Sequence, residues 1–276
     1  INEVTALTTG AVTVTVAQTD LDDIKTLARA GNYTITVAQD NAGTLDANDL
    51  KAVLDKVQTG TITVTSVLTA VEGTYANVFA VYDSAKVSGL DNETNAITDQ
   101  ITVAQANALD NLNAGVITAT LSTNDMATLN QLNLNKDNAG TVVDHAYTIT
   151  VGDDSVNAGE LNTLDSKTSV AITVNAATKV TGTLAEVKAL YQSAGIVADS
   201  LRNEAITITD TVIDVADLTT VHTANDHDAN GTITLSGVTK ITGTAAEIAT
   251  AIANTDITGL NTANTEVIIT GASALA

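Results

Sequence analysis

Short runs in which Thr alternates with Val or Ile recur along the chain. They fall at Val12 to Val16, Tyr33 to Val37, Thr61 to Thr65, Ile101 to Val103, Val116 to Thr120, Tyr147 to Val151, Val170 to Val174, Ile206 to Thr209, Thr232 to Leu235 and Val267 to Thr270. A period of two sends Val and Ile to one face and Thr to the other, the pattern of a half-buried strand. Branching at Cβ suits all three residue types to a pleated sheet. Brief second strands are expected at Thr178 to Thr181 and Thr239 to Thr242.

Helical spacing separates the strands. Val71 to Ser84 aligns without a gap on Val180 to Ser193, and Ile241 to Ile252 is a further copy. In each, a Gly-Thr pair reads as a turn followed by an N-cap hydroxyl. Glu186 and Glu247 stand three residues after Thr183 and Thr244, the spacing of a capping box. Leu184, Val187, Leu190 and Tyr191 share one helical face, and Tyr82 occupies the position of Tyr191, so both tyrosines read as packing residues. A second helix type centres on Ile24, Leu50, Leu109, Met126, Leu161 and Leu218. Both types are too short to persist without tertiary packing.

One coil thus reads strand, turn, often a second strand, helix and return. The spacing between coils is roughly 20–35 residues, within the range of solenoid repeats, and about ten coils fit the chain. A strand and a short helix cannot bury their apolar sides alone, whereas stacking pairs each strand with its equivalent in the next coil. The expectation is an α/β fold: an elongated right-handed solenoid of strand–(strand)–helix coils with parallel sheets. No composition shift marks a boundary, so residues 1–276 read as a single solenoid, a fragment or unit of a longer array. The terminal repeats carry no polar cap, which points to end-to-end contact with other copies or adjacent repeats.

Composition narrows the core and the partners. Aromatic residues make up 2% of the chain, with no Trp, one Phe and one Met, so Val, Ile, Leu and Ala must do the packing. There is no Cys, which excludes disulfides and thiolate metal sites. Thirty-two acidic residues against 11 basic ones leave a net charge of −21. That excludes nucleic acid and anionic membrane as partners and favours cations. No segment has the run of apolar residues a membrane span needs.

Asp226-His227-Asp228-Ala229-Asn230-Gly231-Thr232-Ile233 matches the first half of a calcium loop. Oxygens of Asp226, Asp228 and Asn230 can converge on Ca2+ while Gly231 turns the chain, and the Thr232 carbonyl would complete the set. Position twelve is Gly237, where a bidentate Glu is usual. A polar turn entering a strand is the competing reading. Asp40 to Thr44 and Asp137 to Thr141 read as turns. Asp153-Asp154 reads as a carboxylate pair that is solvated or at a helix entry, where the dipole favours acids, and His222 suits the end of a helix. His145 stands beside Asp144 with no nucleophile. No nucleophile elbow, phosphate loop, HExxH or dinucleotide fingerprint occurs, so no catalytic or organic-cofactor residues are assigned.

The alternation of T-G-T-x-A-E-[VI] helices (Thr181 to Val187, Thr242 to Ile248) with A-[DG]-[DE]-L-x-x-L helices and I-T-[VI]-T strands resembles the repeat regions of giant bacterial cell-surface proteins. The similar proteins are those of marine cyanobacteria and related adhesins. The resemblance implies an exported, non-enzymatic structural protein, often calcium-stabilised. The expected function is therefore an extracellular or cell-surface layer, fibre or filament. The alternative is an adhesin or phage-fibre-like shaft binding carbohydrate, with cell-surface polysaccharide as partner. A solenoid enzyme acting on polysaccharide ranks third. A binding site is sought where Leu132 to Ala146 interrupts the coil spacing.

Overall fold

The computed structural model describes residues 2–3, 10, 12–16, 20–38, 43–134, 142, 144–197, 200–226, 231–260 and 265–271. The fold is α/β with parallel sheets, and it divides into two compact units. The first comprises Ile1–Ser122 and Leu132–Thr148; the second comprises Thr123–Gln131 and Ile149–Ala276.

The first unit contains β1 (Thr13–Val16), α1 (Leu21–Ile24), β2 (Gly31–Val37), β3 (Thr44–Asp46), α2 (Ala47–Leu54), β4 (Val57–Thr59), β5 (Ile62–Val64), β6 (Ala70–Gly73), α3 (Tyr75–Tyr82), β7 (Val87–Ser88), β8 (Thr94–Ile101), α4 (Val103–Asp110), β9 (Ile117–Leu121) and β10 (Ala146–Thr148). One sheet runs β1-β2-β5-β7, with β4 also on β2; the other runs β10-β9-β8-β6-β3. Every pair in both sheets is parallel. Register matches like with like, as in Ile35↔Ile62 and Thr36↔Thr63.

The second unit contains α5 (Met126–Leu129), β11 (Thr150–Val151), β12 (Ser155–Asn157), α6 (Ala158–Asp165), β13 (Thr173–Val174), β14 (Lys179–Gly182), α7 (Leu184–Gln192), β15 (Ala205–Ile208), β16 (Val212–Asp214), α8 (Val215–Asn225), β17 (Thr232–Leu235), β18 (Lys240–Gly243), α9 (Ala245–Ala253), β19 (Ile257–Thr258) and β20 (Glu266–Ile269). Its sheets are β11-β13, β12-β14-β15-β17-β19 and β16-β18-β20, again parallel throughout. Along the five-stranded sheet, Val156, Val180, Ile206, Ile233 and Ile257 face one another in successive strands, all buried. Beside this apolar column runs one of Thr181, Thr207, Thr234 and Thr258. Its last two hydroxyls lie 3.4 Å apart, so the alternation of Thr and Ile along each strand becomes two stripes across the sheet.

The helices take the capping the sequence predicts. Thr183 and Thr244 form capping boxes with Glu186 and Glu247. Thr74, with Asn77 in place of the Glu, makes no side-chain cap bond. The segment Ile101 to Val103 corrects the strand reading. Ile101 ends β8, Thr102 caps α4 in a capping box with Gln105, and Val103 opens the helix. Tyr147 to Val151 is likewise split, between β10 and β11.

Glycine appears where the chain crosses close over the preceding strand. Gly89, at φ +87°, would place a Cβ 1.9 Å from the Val64 carbonyl oxygen, and Gly259, at φ +91°, would place one 2.4 Å from that of Leu235. The positive φ and the close approach both exclude a side chain.

Candidate metal centre and buried polar networks

Each unit carries the same buried lock built on a tyrosine. In the first, the Tyr82 hydroxyl at the end of α3 donates to Glu93 Oε2 at 3.0 Å and accepts from the side-chain amides of Asn95 and Asn113. Asn113 also donates to the Glu93 carbonyl at 2.8 Å. In the second, the Tyr191 hydroxyl at the end of α7 lies 2.8 Å from both Glu204 Oε2 and Asn225 Oδ1. Asn225 donates to the Glu204 carbonyl at 2.8 Å, the same bond as in the first unit. The glutamates also accept backbone N–H groups two residues earlier, from Asp91 and Arg202. Glu93, Asn95, Asn113, Glu204 and Asn225 are all buried. Burial holds the Tyr82 and Tyr191 phenols well above their ordinary range, and the adjoining glutamate charge adds to the shift.

The tyrosine pair is visible in the aligned repeats, but as packing. Glu93 and Glu204 escape that alignment because they sit in loops at unequal distances from their tyrosines. The lock closes hydrogen bonds among buried groups and leaves no nucleophile beside a base. It fastens a helix end to the loops that follow it.

His145 is buried, and its partner is not the adjacent Asp144 but Asp110, 35 positions away. Its Nδ1 accepts the Ile117 backbone N–H at 3.0 Å, so the ring hydrogen lies on Nε2, which donates to Asp110 Oδ1 at 3.1 Å. Tyr147 packs against the ring with centroids 4.8 Å apart. The segment that interrupts the coil spacing is tied down on both sides: Asn133 bonds to Asn107 and Asp110. Its central residues, 135–141, lie outside the described residues.

Of the proposed calcium ligands, Asp228 and Asn230 lie outside the described residues. Thr232 begins β17, exposed and opposite Ala205. Asp226 is the C-cap of α8, and its N–H donates to the His222 carbonyl one turn earlier. That places Asp226 beside His222 and beside Asp256, which lies in the turn between α9 and β19. One ligand atom from each of these three residues lies within 4.8 Å of the other two, the one group of this kind among the described residues. His222 Nε2 is 3.9 Å from Asp256 Oδ2 and 3.3 Å from the Asn254 amide nitrogen. Oδ1 of Asp226 is shut off from solvent and has no hydrogen-bond partner among the described residues. Sequence reading missed Asp256, which is 30 positions beyond Asp226 and lies before the next strand of the sheet, β19.

Asp153, read as solvated or at a helix entry, sits at a helix start, but that of α5, 27 positions earlier: its carboxylate accepts the Met126 N–H at 2.8 Å. Asp99 does the same for Tyr75 at 2.7 Å and Asp210 for Leu184 at 2.6 Å.

Compared with known protein families, curated proteins and solved structures, the chain gives no match. Among the described residues no helix is long and apolar enough to cross a membrane.

Proposed function

We infer that the chain is a non-enzymatic structural protein of the cell exterior, a right-handed solenoid whose copies join end to end into a layer or filament. The observation that carries this reading is β20. It is the outer strand of the β16-β18-β20 sheet, in parallel register with β18, and Val267, Ile268 and Ile269 are 48%, 38% and 52% exposed. In the neighbouring strand β18, by contrast, Ile241, the register partner of Val267, is 1% exposed. An apolar parallel edge is a template for another strand. The partner it fits best is β-structure of the same kind, supplied by a second copy.

Further support is the use to which polar chemistry is put. Buried Tyr, Glu, Asn and His side chains close bonds between segments of neighbouring coils, as structural repeats require. Strand–helix–strand returns in a parallel sheet are nearly always right-handed, which supplies the handedness. The acidic composition and the resemblance to bacterial surface-protein repeats support a location outside the cell.

Negative-stain electron microscopy and sedimentation over a rising protein concentration, with calcium and with chelator, test the proposal. Filaments or linear oligomers are expected, and Ile268→Lys should abolish them while circular dichroism stays unchanged. Monomers at every concentration in both buffers, or assembly indifferent to Ile268→Lys, would overturn the end-to-end reading.

A further inference from the structure

The geometry points to a first-row divalent metal site, of the kind Zn2+ occupies, formed by His222, Asp226 and Asp256. One imidazole nitrogen and two carboxylates are a ligand set that suits zinc. A tetrahedral ion bound at 2.0–2.2 Å needs donor atoms about 3.3 Å apart, and here they already lie within 4.8 Å, a gap closed by small side-chain rotations.

The local chemistry favours the cation before it arrives. Asn254 Oδ1 accepts the Asp256 N–H at 2.8 Å, which fixes its amide nitrogen toward His222. An amide nitrogen only donates, so His222 Nε2 carries the lone pair, the form a metal requires. The ion would displace that long contact of 3.3 Å. Among the described residues nothing pairs with the desolvated Oδ1 of Asp226, and such an acceptor is costly unless something positive meets it. All of this sits at the C-terminus of α8, an eleven-residue helix whose unpaired carbonyls add negative potential.

Calcium is the weaker match for these residues. It takes six to eight oxygen ligands, and an imidazole contributes none. The site also differs from a loop motif in what it joins. His222 and Asp226 belong to the α8 coil and Asp256 to the turn before β19, so a bound ion ties one coil to the next.

Isothermal titration of the metal-free chain with zinc sulfate alone should show one equivalent bound, and zinc should raise the thermal midpoint. His222→Ala and Asp256→Asn should each weaken zinc at least about tenfold, the loss of one ligand from three. Asp256 lies in an exposed turn, so its variant keeps the test open if His222→Ala fails to fold. Calcium should give no comparable heat. No zinc binding, zinc binding untouched by both variants, or calcium binding more tightly than zinc at these residues would each overturn the assignment. The measurement is made on dilute monomer, so it succeeds or fails independently of end-to-end assembly.

Discussion

The carboxylate of Asp210 accepts the backbone N–H of Leu184 at 2.6 Å, although 26 positions separate them. Leu184 is the first residue of α7, where N–H groups have no partner inside the helix. Thr183 satisfies a different one, that of Glu186, so the two caps are complementary. One comes from within three positions and the other from 26 positions further along the chain. A charged acceptor at the positive end of a helix contributes about 1 kcal/mol. Asp210→Ala should therefore lower the urea midpoint by a stability loss of about 1 kcal/mol with the slope unchanged, and Asp210→Asn, which keeps an acceptor, should lose less. Equal losses for the two variants would show that the hydrogen bond is not what Asp210 contributes.

The same device recurs at Asp99 with Tyr75 and at Asp153 with Met126, and it shows where sequence reading stops. Alternation of Thr with Val or Ile locates strands because sheet geometry imposes a period of two on neighbouring residues. The capping boxes at Thr183 and Thr244 are legible because both partners lie within three positions. An acid that caps a helix 27 positions earlier leaves no local trace, so Asp153 reads as solvated or as serving an adjacent helix. The box at Thr102 was hidden for the opposite reason: Ile101-Thr102-Val103 alternates like a strand while it marks a boundary. Asp256 joins His222 and Asp226 only through the register that stacks β19 on β17. Sites that join segments this far apart in sequence become visible once that register is known.

The apolar column of the second unit should dominate its stability. Ile206 is 1% exposed and flanked by Val180 and Ile233 in adjacent strands. Ile206→Ala should cost about 2–5 kcal/mol, since stacked neighbours on both sides prevent collapse into the cavity. Thr207 lies on the other face, in the Thr column, and Thr207→Ala should change stability by no more than about 0.5 kcal/mol. Chemical denaturation of both variants measures the contrast. Similar losses would mean that the hydroxyl column contributes as much as the core.

The capping glutamates contribute to the acid limb of stability, alongside Asp125 and Asp154, whose carboxyls are also held low by hydrogen bonds from Thr123 and Thr178. Hydrogen bonds from the Thr183 backbone and hydroxyl hold Glu186 below the usual carboxylate range, and Thr244 does the same for Glu247. A carboxyl whose folded pKa is depressed contributes stability that is fully present above its unfolded pKa, about 4.3, and is lost as pH falls through the folded value. The thermal midpoint should thus fall from about pH 5 toward about pH 3. The double variant Glu186→Gln, Glu247→Gln should show a shallower fall, because its caps no longer titrate. Calorimetry across that range gives the comparison, and parallel acid limbs would remove the caps from the account.

The tyrosines set the alkaline limb. Burial holds Tyr82, Tyr147 and Tyr191 above the ordinary phenol range, with nearby charge on Glu93, Asp110 and Glu204 acting in the same direction. A group whose folded pKa is raised contributes stability that is complete below its unfolded pKa, about 10, and is lost as pH rises toward the folded value. Phenolate absorbance should therefore rise for these residues only as the chain unfolds, in a steep cooperative step coincident with loss of circular dichroism. Tyr191→Phe removes one titrating group and leaves Glu204 Oε2 and Asn225 Oδ1 without the hydroxyl they share. Its cost near neutral pH should be about 1–3 kcal/mol, the penalty for buried groups that lose a partner. Its alkaline transition should also be less steep by one ionisation. A gradual, reversible titration of every tyrosine near pH 10, with secondary structure intact, would show that the phenols are not sealed in the locks.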